Sequence, residues 1–189
     1  ISDVGYTITE QNRSGAWIAK TADSAENGED WWDYGLPSKE APDGTRKISY
    51  RFDDAGQTVN ITADDTEEHQ VTFYVLAENN GHADKPRKQS VQLFKTGTDQ
   101  AVSEKIELED GTVGKYITTT FSGSVDAVFT NVNYKSLVTN AIVNGIFFDT
   151  ETTEPDPPAE LPEWTVAKET KGAWTKTYGN DGSVLCGWD

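Results

Sequence analysis

Three aromatic residues lie close together in an acidic stretch: Trp31, Trp32 and Tyr34, flanked by Glu29, Asp30 and Asp33. Sugars present C–H faces that stack on aromatic rings, while polar side chains take up their hydroxyls. An exposed ring cluster among carboxylates therefore suits carbohydrate binding. The competing use of the same rings is packing. Adjacent strand residues point to opposite faces, so Trp31 and Trp32 cannot both enter the core if they lie in a strand. A second polar stretch, ENNGHADKPRKQ (78–89), contributes Asn79, Asn80 and Arg87. Amide and guanidinium groups can make paired bonds to sugar hydroxyls or carboxylates. The plainer reading is a hairpin loop in which Arg87 pairs with Glu78.

The segment DSAENGED (23–30) is rich in oxygen donors: Asp23, Glu26, Asn27 and Asp30, with Glu29 beside them. Calcium takes about six to eight oxygens, and loops of β-domains often supply them. The spacing does not match an EF-hand loop. In a chain of formal net charge −16 an acidic loop is commonly just a solvated one. Calcium is thus the one cofactor the sequence points to, and nothing in the pattern requires it. No catalytic arrangement emerges. With 32 acidic residues, no carboxylate pair stands out as a glycosidase couple. Gly-x-Ser-x-Gly, His-Glu-x-x-His and phosphate-loop patterns are absent from the sequence. Two histidines, His69 and His82, are too few for a His-rich zinc site. Cys186, in VLCGW, reads as a small buried hydrophobe, and one cysteine cannot form an internal disulfide. The expectation is a protein that binds rather than an enzyme.

The elements that must carry these residues are strands. Near-alternating apolar runs recur along the chain: 46–52, 57–63, 69–77, 90–95, 102–108, 115–121, 127–133 and 141–149. Thr, Val and aromatic residues suit a pleated, half-buried surface. Asp43-Gly44, Asn80-Gly81, Thr96-Gly97 and Asp110-Gly111 punctuate the runs as turns. No stretch keeps a 3.6-residue apolar period. The expected fold is all-β, an antiparallel β-sandwich of jelly-roll-like type.

The expected domain is 1–149. An acidic linker, TETTEPDPPAELPE (150–163), follows it and holds four of the seven prolines. Proline removes donors and extends the backbone, so this reads as a stiff spacer. The segment 164–189 then repeats the beginning of the chain. Gly15-Ala16-Trp17 recurs 157 residues later as Gly172-Ala173-Trp174, each followed by a Lys-Thr step, a turn and a Trp-Asp pair (32–33 and 188–189). The segment is read either as the opening strands of a second copy or as a piece that packs back on the first domain. Trp17 and Trp174 are expected to anchor a core, and Trp164 to staple the linker down.

The repeated residues resemble a module found in secreted bacterial proteins, beside glycoside hydrolase domains and in long cell-surface proteins. Its opening reads Gly-x-Trp-x-x-x-Tyr-Gly-x-Asp-Gly-Tyr-Val-Leu. The tail is similar to it at Gly172, Trp174, Tyr178, Gly179, Asp181, Gly182, Val184 and Leu185, with Ser183 in place of the aromatic. HQVTFYVLAENN (69–80) and TNAIVNGIFFD (139–149) resemble its middle and its close. The first copy departs from the opening, reading TADSAENGEDWWDYG. The resemblance implies an ancillary, carbohydrate-binding β-sandwich in an extracellular or cell-surface bacterial protein.

Charge narrows the partners. At −16, with a pI near 4.4, the surface repels nucleic acid and anionic membranes. No run of about 18 apolar residues occurs, so no transmembrane helix is expected. The expected partners are a polysaccharide or oligosaccharide and neighbouring modules of the same chain. The alternative is a structural or adhesive repeat, a spacer or protein-binding domain, in which the tryptophans are core.

Overall fold

A computed structural model describes residues 5–12, 18–23, 30–31, 36–37, 39–40, 46–75, 88–108, 115–133, 140–150, 162–167, 174–175 and 177–185. All regular structure among them is strand. In chain order these are β1 (Tyr6–Asn12), β2 (Ile18–Asp23), β3 (Asp30–Trp31), β4 (Leu36–Pro37), β5 (Lys39–Glu40), β6 (Arg46–Asp53), β7 (Gly56–Ala63) and β8 (Glu68–Val75). There follow β9 (Gln89–Lys95), β10 (Ile106–Leu108), β11 (Lys115–Ser122), β12 (Ser124–Asn131), β13 (Ala141–Val143), β14 (Gly145–Thr150), β15 (Thr165–Ala167) and β16 (Gly182–Leu185).

Period-two burial decides how these strands stack. Val59 and Ile61 on β7, Ala127 and Phe129 on β12, and Val91 and Leu93 on β9 are fully buried. Their neighbours Thr58, Val128 and Gln92 are only partly covered. These strands form the first sheet, in the order β1-β7-β12-β9-β10. Its apolar face meets Val71, Phe73, Ile117, Phe121, Ile146 and Phe148 of the second sheet, ordered β15-β11-β8-β14-β16. Phe73 meets Phe129 edge to face at 5.2 Å. All pairings among the described strands of both sheets are antiparallel. The steps β7 to β8, β8 to β9, β10 to β11 and β11 to β12 each pass from one sheet to the other. This is a jelly-roll-like antiparallel sandwich.

A third sheet, β13-β6-β2 with β5 on β6, adjoins it. The side chain of Gln89 ties this sheet to the first. It accepts from the Ile142 N–H at 2.6 Å and donates to the Ile142 carbonyl at 3.1 Å. A buried amide thus imitates a strand partner and satisfies both backbone groups.

Three elements differ from the sequence pattern. The run expected at 127–133 begins at Ser124, directly after the Gly123 turn, because polar Asp126 faces outward within the strand. The run 141–149 is two strands: β13 pairs with β6, β14 pairs with β8, and Asn144 is the step between partners. The run 102–108 pairs as a ladder only over β10, because the Ser103 hydroxyl takes the Leu93 N–H at 2.9 Å.

The described part of the tail lies in the second sheet. β15 pairs with β11 at one edge and β16 with β14 at the other. Trp164, just before β15, packs against the core and donates its indole N–H to the Glu104 carbonyl at 2.8 Å.

Candidate functional site

The outward face of the first sheet forms a grid of side chains set by strand register. Asn60, Asp126 and Phe94 form one row, and Thr58, Val128 and Gln92 the next. Thr130 and Ser90 stand opposite each other in a third. After β9 the chain turns at Gly97, whose φ of +70° suits glycine, and returns beside the sheet. This return brings Thr98, Asp99 and Lys105 to the rim. The result is an open groove of about 420 Å³ whose lining includes Phe94, Gln92, Asp126, Lys105 and Thr58.

The groove's polar groups are held in place. One oxygen of Asp126 accepts from the Asn60 amide at 2.9 Å, and the other from the Gly97 N–H at 2.9 Å. The Gln92 amide donates to the Ser103 carbonyl at 3.1 Å, which fixes its plane. Hydroxyls of Thr62, Ser124 and Thr96 form a chain with 2.8 Å links that runs toward Asn60. Fixed acceptors and donors beside one half-buried ring lose little entropy on binding. They can align a flat, hydroxyl-bearing ligand. Lys105, at the rim, lies 3.1 Å from Glu107, so its charge is partly offset.

The residues singled out in the sequence are not among the described lining of this groove. Trp31 and Asp30 form β3, paired with β4 in a two-stranded hairpin, and Asp23 ends β2. Trp32, Tyr34, Asn79, Asn80, Arg87, Glu26 and Asn27 lie outside the described residues, as do His82, Trp17, Cys186 and Trp188. Among the described residues no group of three or more His, Cys, Asp or Glu side chains could hold a metal ion. No described helix is long and apolar enough to cross a membrane.

Two side chains have structural duties. Trp174 is buried against Phe147, with ring centroids 4.7 Å apart, on the outer face of the second sheet. His69 is wholly buried at one end of the sandwich. Its Nε2 lies 2.6 Å from an Asp65 oxygen and its Nδ1 3.1 Å from the Tyr6 hydroxyl. A carboxylate only accepts, so Nε2 carries a proton; in the neutral ring Nδ1 accepts from Tyr6. The His69 hydrogen bond holds the Asp65 carboxyl below its usual range, aided by the Glu67 N–H and opposed by desolvation. Burial, with smaller contributions from Asp181, Asp65, Asp149 and Asp64, pushes the Tyr6 hydroxyl up to about 12.

The sequence reading missed Phe94, Gln92 and Asp126. The available signal was the polar phase of SVQLFK and of SVDAVFT, which alternates with the core phase. Compared with known protein families, curated proteins and solved structures, this chain matches none.

Proposed function

We propose that this chain is a non-catalytic carbohydrate-binding module of a secreted, multi-domain bacterial protein. The groove on the first sheet is its binding surface. The observation that carries the reading is the Phe94 ring set beside the fixed carboxylate of Asp126 and the fixed amide of Gln92. A sugar ring lying on Phe94 would offer its hydroxyls to those acceptors and donors. Asp126, engaged by two donors, serves as a fixed acceptor.

Calorimetric titration against a panel of soluble polysaccharides tests this. Saturable binding that Phe94→Ala weakens at least tenfold, while a Trp31→Ala, Trp32→Ala double variant leaves it intact, supports the groove. Binding lost only in the tryptophan variant moves the site to the β3–β4 hairpin.

One observation favours a second reading, a structural or adhesive repeat. The tail motif is spent on packing, with Trp174 and Tyr178 against Phe147 and Tyr116. A folded protein that binds no glycan in the panel would give that reading precedence.

A further inference from the structure

The described parts of the tail lie at both edges and on the outer face of the second sheet. β15 completes one edge, and β16 the other, with Val184 opposite Ile146 and Gly182 opposite Phe148. Between them Trp174 covers Phe147, and Tyr178 stacks on Tyr116 at 4.7 Å and 10°. Tyr74 lies under the same cover, stacked on Tyr116 at 4.7 Å.

The contacts use the Tyr-Gly-x-Asp-Gly part of the tail. Gly179 has φ +73°, and a Cβ there would lie 3.1 Å from both Phe147 and the Gly182 carbonyl. The buried Asp149 carboxylate accepts from the Gly179 N–H at 2.8 Å and from the Asn180 N–H at 2.6 Å. It also accepts from the Asn180 side-chain amide at 2.8 Å. The Asp181 N–H reaches the Phe148 carbonyl at 3.0 Å. Such a carboxylate, with N–H groups presented by one tight turn, reads a conformation only glycine adopts without strain.

The first copy cannot make this turn. With Gly15-Ala16-Trp17 set on Gly172-Ala173-Trp174, Gly179 falls on Ala22 and Tyr178 on Thr21. There the chain stays extended as β2 and pairs with β6 instead. At the aligned positions one opening has Tyr178-Gly179 and makes the turn, and the other has Thr21-Ala22 and continues as strand.

We propose that the β14 edge and the Tyr74–Tyr116–Phe147 face form an acceptor site for a Gly-x-Trp-x-x-x-Tyr-Gly-x-Asp-Gly segment. The chain's own tail fills it here, and the tail of a second copy fits it equally, so that copies link by exchanging residues 164–185. In sequence, residues 151–161 join β14 to this segment and carry three prolines, a composition that favours extended backbone. Opening of the repeat thus belongs structurally to the module before it. This inference is independent of glycan binding.

The test uses the full chain carrying Trp174→Ala and Tyr178→Ala, with folding checked by circular dichroism. The probe is a fluorescent synthetic peptide of residues 164–185. Saturable binding to the variant, at least tenfold weaker binding to the wild-type chain, and at least tenfold weaker binding by a Gly179→Ala peptide are expected. A folded variant that does not bind the peptide, or that binds both peptides alike, overturns the acceptor site. Where the double variant does not fold, a protease site set into 151–161 of the wild-type chain serves instead. After cleavage, replacement of the resident tail by the labelled peptide supports the proposal, and no replacement overturns it. Light scattering after refolding at high concentration tests exchange between copies. Dimers that fall to monomers with Trp174→Ala support it; monomers at every concentration overturn it.

Discussion

Tyr6, His69 and Asp65 join the two sheets at one end of the sandwich through one buried ring and its two partners. Tyr6 also stacks on Phe148 at 4.2 Å, so its ring belongs to the core while its hydroxyl faces carboxylates. Ionising that hydroxyl in the folded chain places a charge among neighbours of the same sign. Its pKa, about 12 folded against about 10 in an unfolded chain, makes the fold bind the proton more tightly. The associated stability is complete below about pH 10 and is lost as the pH climbs through 12. Urea unfolding from pH 8 to 12 should show a falling midpoint that becomes shallower in Tyr6→Phe; identical slopes would remove Tyr6 as the cause. At this scale the sequence was partly legible. His69 stands at the head of an apolar run, a place that suits a packed side chain, and it is buried and hydrogen-bonded. Its partner Tyr6 was not readable, because it lies 63 positions away and only sheet stacking brings it near.

At the scale of the element, alternation located the strands and burial explains why. Each apolar phase of β7, β8, β9, β11 and β12 points between the sheets. What alternation cannot carry is partner choice. IVNGIF gives no sign that the chain leaves β6 for β8 at Asn144, since both halves are equally apolar. The tail shows the same limit: Trp174 read as a core anchor and is one, but the cluster that it anchors, with Tyr74, Tyr116 and Phe147, lies on the outer face of the second sheet. The tail strands beside it pair with β11 and β14, so that short β15 and β16 form the edges of the second sheet in their place. Trp174→Ala should therefore cost about 3–5 kcal/mol, the range for buried Trp or Phe truncation. Gly179→Ala should cost about 1–2 kcal/mol from its left-handed backbone alone, and more where Phe147 cannot yield. Chemical denaturation of both variants checks the order. Losses below about 0.5 kcal/mol in both would mean that the tail contributes little to the fold.

Across the whole molecule, charge decides what the groove can accept. The formal charge is −16, so self-repulsion opposes compactness and weakens as salt screens it. The melting temperature should rise between about 10 and 150 mM sodium chloride, where the Debye length falls from about 30 to 8 Å. The same field acts on ligands. Asp99 and Asp126 face the groove, and Lys105, the one cation among its described lining residues, is drawn toward Glu107. A uronate-rich or sulfated polysaccharide would meet repulsion before any ring reached Phe94. A neutral polysaccharide would not, and its contacts with fixed hydroxyls and amides are insensitive to screening. The groove should thus bind neutral glycans with an affinity that changes less than about twofold over that salt range. Binding of anionic glycans, where present, should strengthen as salt rises. An anionic glycan that binds tightly at low salt and weakens with added salt would contradict the groove. It would point instead to the Lys85, Arg87 and Lys88 cluster, the one basic run in the sequence.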